Sequence, residues 1–201
     1  MYLEAAKLEI VQLIKKLVYD IGYKRSLSPP HLVKREIIKC YARKYNLDVL
    51  VETGTYKGEM IFALKNIFKE IHSIELSEFL YKRSVKRFAN QSHIHLYCGD
   101  SKTVLPAILE KIKSPCLFWL DAHYSGGITA CSDKESPIVD ELHNIFVHPI
   151  NKHIILIDDA RCFNGSNDYP TVEELFRLVE TNKQKWSTYV KEDIIRVTPK
   201  N

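Results

Sequence analysis

Acidic side chains and a histidine follow directly on two apolar runs of this chain. LFWLDAHYSGG (117–127) carries Asp121 and His123, and HIILIDDARCF (153–163) carries Asp158 and Asp159. If the two runs are neighbouring parallel strands, three carboxylates converge where those strands end. Carboxylates with nothing positive between them repel one another, so one of them keeps a proton or the group collects a cation. Oxygen ligands suit Mg2+ or Mn2+ better than zinc, which makes Asp121, Asp158 and Asp159 candidate metal ligands. Asp158 and Asp159 are consecutive, and consecutive strand residues face opposite ways, so they share an ion only where the backbone turns. Their structural alternative is a turn cap at 158–159, with Asp121 merely bordering a ligand. His123, of ordinary pKa about 6.5, has the reach and chemistry of a general base; its alternative is a solvated loop side chain.

The surrounding sequence supplies elements that would place such residues. From residue 48 onward, short apolar runs alternate with helical periodicity. Strands are expected at 48–52, 70–76, 94–100, 116–121 and 153–159, and helices at 58–68, 77–89, 102–112, 137–147 and 171–180. A hairpin or pair of edge strands follows at 188–199. Five strand–helix units with near-continuous apolar strands predict an α/β fold with a parallel sheet covered on both faces. Such sheets bind ligands beyond the carboxyl ends of their strands. Glu52, Glu75, Asp100, Asp121, Asp158 and Asp159 all fall at or beside such an end. Before this unit, residues 3–19 place Leu3, Ala6, Ile10, Leu13, Ile14 and Leu17 on one helical side, and a second helix is expected at 31–45. We therefore divide the chain into a helical extension, 1–47, and a main domain, 48–201. The first helix is available for packing, for covering a ligand or for a homodimer contact.

VETGTYKGE joins the first strand to the first helix. Gly54 permits a close backbone approach and Gly58 lets the chain enter the helix. The GK[ST] signature of a phosphate loop is absent from this turn, and an acid at Glu52 suits a cationic or hydrogen-bond-donating ligand better than a pyrophosphate. Glu75, 21 residues past Gly54, can accept both hydroxyls of a ribose. Asp100 and Ser101 offer an acceptor and a hydroxyl to the edge of an adenine. These residues favour a nucleoside-bearing cofactor and leave nicotinamide and methionine-derived donors unseparated.

E-x-G-x-x-x-G (52–58), Glu75, GDS (99–101) and LDAH (120–123), in this order, resemble the class I S-adenosylmethionine (SAM)-dependent methyltransferases. The resemblance covers about 48–200 and implies a Rossmann-like, doubly wound, mostly parallel seven-stranded sheet flanked by helices. It implies that Glu52 lies near the amino group of the donor's methionine part, with Thr53, Gly54, Thr55 and Gly58 forming the turn around it. Glu75 would hold the ribose, Leu76, Asp100 and Ser101 would border the adenine, and Asp121 would also touch the donor. Tyr56 departs from the pattern, standing where many members carry a middle glycine. The acids also resemble those of metal-dependent O-methyltransferases acting on sugars or catechols. There, an acid after the fourth strand and two after the fifth hold the metal, and Mg2+ or Mn2+ would orient a vicinal diol and lower a hydroxyl pKa.

The resulting expectation is a SAM-dependent, divalent-metal-dependent O-methyltransferase acting on a sugar, nucleotide sugar, glycan or similar polyhydroxylated molecule. Asp121 and His123 are its catalytic candidates. The glycine-bearing segment 124–137 would form a lid or acceptor wall, and Arg161 with 164–169 the opposite wall. Two other readings compete. The basic run KRSVKRF (82–88) would suit a nucleic-acid methyltransferase, but it sits in a crossover helix and no base-methylation signature accompanies it. A binding protein that retained the fold without its chemistry is disfavoured by the intact Glu52, Gly54, Glu75 and Asp121.

Composition narrows the setting. The net charge of +4 permits an anionic partner without requiring one, and no run is apolar enough to span a membrane. Cysteines 40, 98, 116, 131 and 162 show no pairing signature, and Cys98 and Cys116 read as core thiols. A reducing, cytoplasmic compartment is the expectation.

Overall fold

Apolar runs of four to six residues become strands, and the 3.6-periodic stretches between them become helices. The computed structural model describes residues 28–121 and 136–200, with Leu13 and Leu17 as two further helical positions. In chain order the elements are α1 (His31–Tyr45), β1 (Val49–Thr53), α2 (Glu59–Leu64), β2 (Glu70–Glu75), α3 (Glu78–Arg87), β3 (Ile94–Cys98) and α4 (Ser101–Leu109). They continue with β4 (Leu117–Leu120), α5 (Ile138–Val147), β5 (Ile154–Ile157), a 3-10 turn (Ala160–Cys162), α6 (Val172–Asn182), β6 (Trp186–Lys191) and β7 (Ile194–Pro199). The seven strands form one sheet in the order β3-β2-β1-β4-β5-β7-β6. β1 to β5 are parallel and β7 is antiparallel to both its neighbours. This is the expected Rossmann-like, doubly wound sheet. Strand order reverses beside β1, so the carboxyl ends of β1, β2 and β4 surround the natural ligand crevice.

Period-two alternation sorts the strand residues between two cores. Val51, Phe118, Leu120, Ile155 and Ile157 face one core with Leu105 of α4 and Leu142 of α5. Leu50, Leu117, Trp119, Ile154 and Leu156 face the other with Ile61 of α2 and with Ile38 and Ala42 of α1. α1 therefore packs as a layer on the sheet. It ends through Asn46 in the left-handed region (φ 51°), where the Leu47 N–H donates to Ala42 O at 2.9 Å. The expected helix 3–19 lies outside the described residues except for Leu13 and Leu17, both exposed.

α4 contains Pro106, which cannot donate to the carbonyl of Lys102 one turn earlier. Asn144 of α5 donates to that carbonyl instead, at 3.0 Å, so the two helices are joined at the break. The C-terminal hairpin turns through Glu192 and Asp193, both at positive φ (53° and 56°), as a two-residue turn compatible with strand twist requires. Its second strand, β7, is interior, so the tip at Asp193 reaches the carboxyl end of β5. One expectation fails: Cys98 is exposed, because it ends β3, the edge strand, whereas Cys116 is buried as expected. Among the described residues no helix is long and apolar enough to cross a membrane.

Candidate functional site

The turn after β1 is shaped by backbone geometry. Gly54 (φ 86°), Tyr56 (φ 48°) and Gly58 (φ 68°) all occupy positive φ. The Gly54 and Thr55 amides donate to Ile74 O at the end of β2, at 2.9 and 3.1 Å. Tyr56 thus holds the left-handed conformation that explains a glycine at this position in related motifs; a side chain there costs roughly 1–2 kcal/mol. At Gly58 a Cβ would lie 2.7 Å from Phe88 Cε2, so this glycine is required by both dihedral and space.

Two buried acids flank the turn. Glu75 accepts the Tyr56 N–H at 2.7 Å on one oxygen and the Ser77 N–H at 2.8 Å on the other, fixing the loop and the start of α3 together. Each oxygen keeps a further lone pair for a hydroxyl. Burial nonetheless pushes the Glu75 pKa up, against these backbone donors. Glu52 is fully enclosed and accepts from Ser73 Oγ at 2.5 Å, and Ser73 in turn contacts Thr55 Oγ1 at 2.6 Å. Burial first, with Asp121 and Glu75 adding to it and Ser73 opposing, pushes Glu52 up to about 8. A neutral Glu52 at pH 7 is poised to ionise when a cation enters. Asp100 caps α4 by accepting the Lys102 N–H at 3.0 Å, and Ser101 beside it is buried. Leu76 stands half-buried at the end of β2.

Asp121 leaves β4 with its N–H donating to Thr53 O at 3.1 Å, and Asp158 leaves β5 with its N–H donating to Leu120 O at 3.0 Å. The backbone then turns: Asp159 has φ 54°, and its N–H donates to Asp158 Oδ1 at 2.8 Å. The turn needed to bring the two consecutive acids together is therefore present. The acids also have a cation, and it belongs to the protein. Lys34 Nζ of α1 contacts Asp158 Oδ2 directly and lies 3.5 Å from Asp159 Oδ1. Arg161 donates to Asp159 Oδ1 at 2.7 Å and pairs with Asp193 at the hairpin tip. Burial, then the Asp121 charge, holds Asp158 above its usual range against the pull of Lys34. Lys34 is raised: Asp158, Asp159 and Asp121, in that order, outweigh its burial.

Divalent-ion fit can be judged from this arrangement. An ion about 4 Å from the Lys34 ammonium would be repelled by roughly 8 kcal/mol at an effective dielectric of about 20, twice the unit-charge figure. It would also compete with hydrogen bonds to the oxygens it needs. Among the described residues, no group of three or more His, Cys, Asp or Glu is arranged to hold a metal. The side chains in this arrangement do not fit Mg2+ or Mn2+.

The fold thus brings Glu52, Thr53, Gly54, Thr55, Gly58, Glu75, Leu76, Asp100, Ser101, Asp121, Asp158 and Asp159 to one edge of the sheet. His123 and the segment 124–135 lie outside the described residues. Arg161, expected in the opposite wall, is engaged with Asp159 and Asp193. Sequence reasoning missed Lys34, Ser73 and Glu141. Glu141 of α5 is 1% exposed, and burial, opposed by the Ser101 and Thr53 hydroxyls, pushes it up to about 7. Neither its Oε1 nor Thr53 Oγ1 meets a partner at hydrogen-bonding geometry among the described residues. A signal was available for both charged residues. Glu141 stands among Ile138, Leu142 and Ile145 on the apolar side of its helix, and Lys34 precedes Ile38 and Ala42 on theirs.

Neither a protein-family model nor a curated protein matches the sequence. Solved structures do match. An O-methyltransferase from Bacillus cereus in complex with S-adenosylhomocysteine aligns at TM-score 0.62 and 13% identity, over 94% of this chain and 91% of that one. The O-methyltransferase TomG from Streptomyces achromogenes, involved in tomaymycin synthesis and bound to SAM, aligns at 0.60 and 14%, over 88% and 82%. A putative rRNA methylase from Clostridium thermocellum aligns at 0.56 and 13%, over 79% and 92%. The three are named as two O-methyltransferases and an rRNA methylase, and at 13–14% identity the likeness is one of fold. This chain has the fold of the class I SAM-dependent methyltransferases.

Proposed function

We propose that the chain is a SAM-dependent O-methyltransferase acting on a hydroxyl of a sugar or similar polyhydroxylated molecule, free, nucleotide-linked or in a glycan. The observation that carries this reading is the adjacency, at one edge of the sheet, of the Glu52 and Glu75 carboxylates around the turn after β1 and the acids that end β4 and β5. Glu52 and Glu75 flank the Gly54–Gly58 turn, and Asp121 stands between them and Asp158. Phe163 and Tyr169, whose rings meet edge to face at 5.1 Å, line a small cavity beside Asp121 and Asp158. Carboxylates accept hydroxyl hydrogens and aromatic rings cover C–H faces, a combination that suits a sugar.

Bound SAM supplies an electrophilic methyl on a sulfonium. Glu75 accepts the ribose hydroxyls, and Glu52 takes the charge of the amino group. Asp121 borders the methyl and the acceptor, and His123 accepts the hydrogen of the reacting hydroxyl, aims its oxygen in line with the methyl and removes the proton as the O–C bond forms and the S–C bond breaks. No step runs through a divalent ion. A nucleic-acid acceptor has less support: in the basic run, Lys82 pairs with Glu78 and Arg87 donates to Lys57 O.

The test is methyl transfer from labelled SAM to a panel of free sugars, nucleotide sugars, glycans and rRNA. His123→Gln should lower turnover about 100-fold or more, the general-base scale, with little loss of donor binding, and Asp121→Asn at least about tenfold. Transfer to rRNA alone, or failure to bind SAM by calorimetry, would remove the reading.

A further inference from the structure

Lys34 is placed by packed structure. It lies in the first turn of α1, and Ile38 and Ala42, one and two turns on, are buried against the sheet in the second core. Its side chain is 12% exposed, facing an Asp158 side chain that is 1% exposed. Asp159, beyond it, also accepts from Ser28 Oγ at 3.3 Å and from Arg161 at 2.7 Å. Among the described residues the donors to these two acids come from the chain before α1, from α1 itself and from the turn after β5. Among the described residues two cations, Lys34 and Arg161, stand against Asp121, Asp158, Asp159 and Asp193. Asp158 and Asp159 share the Lys34 ammonium, and the charge of Asp121 adds to its field.

We infer that Lys34 is the resident cation of these acids: its ammonium takes the place of a divalent ion among Asp121, Asp158 and Asp159, and supplies the positive charge beside which the acceptor hydroxyl loses its proton. A lysine is suited to half of a metal's task. It attracts a developing alkoxide and orients a hydroxyl as a point charge, but it cannot chelate a vicinal diol. The acceptor therefore needs one well-placed hydroxyl and no diol geometry. The catalytic half of this inference rests on the proposed methyl transfer; the cation half does not.

Manganese titration followed by electron paramagnetic resonance, with no donor or acceptor present, tests the cation half. The wild-type protein should bind no Mn2+ in the micromolar range. Lys34→Met keeps the acids and removes the ammonium, and should gain a site at least tenfold tighter than the wild type that is lost again on adding Asp158→Asn. Lys34→Arg should remain inert to Mn2+. One stoichiometric Mn2+ in the wild type, lost in Asp158→Asn, would overturn the inference, and this holds even if Lys34→Met fails to fold. For the catalytic half, turnover of the wild type should be unchanged by EDTA, and Lys34→Met should lower turnover more than tenfold with the donor affinity retained. Turnover abolished by EDTA and restored by Mg2+ would overturn it. A protein that binds neither SAM nor Mn2+ would sink the methyltransferase reading and leave the assignment of the cation standing.

Discussion

Glu52 shows how a single side chain can couple binding to protons. With its pKa pushed up to about 8, it is protonated at pH 7 in the donor-free protein, and an incoming ammonium group favours its ionised form. Donor binding should then release close to one proton at pH 7. Affinity should rise up to about tenfold per pH unit below about pH 8 and fall above it, where the donor's amino group, of ordinary pKa about 7.7–8.0, loses its own proton. Calorimetry in buffers of different ionisation enthalpy measures both. Glu52→Gln should abolish the proton release and weaken binding about 10- to 100-fold, the range for a hydrogen bond to a charged group; an unchanged pH dependence in that variant would remove Glu52 from the amino-group site. Glu52 was legible from the sequence because an acid, a glycine turn and a helix follow one another within seven residues. Its partner Ser73 was not, since that contact depends on the pairing of β1 with β2, in which Glu52 stands opposite Ser73. Lys34 was hidden for a similar reason: spacing gave its helix, but only tertiary packing brings that helix's first turn to the end of β5.

Among the elements, the turn from β1 into α2 is the least tolerant of change. Gly58→Ala combines a left-handed residue with overlap on the Phe88 ring, roughly 1–2 and 1–3 kcal/mol respectively, so a loss of about 2–5 kcal/mol is expected. Chemical denaturation should show this as a lower midpoint with little change in slope, and donor affinity should fall with it because the same turn carries Thr55 and Tyr56. A midpoint within error of the wild type would mean that α2 shifts freely against α3. The parallel strands were readable because burial on both faces leaves continuous apolar runs, and all five fall within two residues of their expected bounds. The helix expected at 58–68 stops at Leu64 instead, and nothing in its composition announces the stop. Likewise, apolar content marked β7 as a strand, but its interior place between β5 and β6 depends on a hairpin folding back, a long-range choice that local pattern does not encode.

For the molecule as a whole, its buried titratable groups set a pH optimum of stability. Glu52 and Glu141, raised by burial to about 8 and 7, bind protons in the native state that an unfolded carboxyl, of pKa about 4.3, has already lost. The native state therefore holds more protons than the unfolded chain in that window, and stability falls as pH rises through it. His31, His72 and His153 act in the other direction. Burial lowers each to about 4, so below about pH 6.5 the unfolded chain takes up more protons and acidification costs stability. Between pH 8 and 6.5 only the acids contribute, and below that the three histidines oppose them. The Tm of the donor-free protein should accordingly rise from pH 8.5 to a maximum near about 6.5 and level off or decline further down. Donor binding removes the Glu52 share by ionising it, so the Tm gain from saturating SAM should be larger at pH 8 than at pH 6. Scanning calorimetry across this range, with and without donor, reads both effects. A Tm that climbs steadily from pH 6.5 to 8.5 without donor would show that the two glutamates are ionised in the empty fold, and the poised state of the donor crevice would go with them.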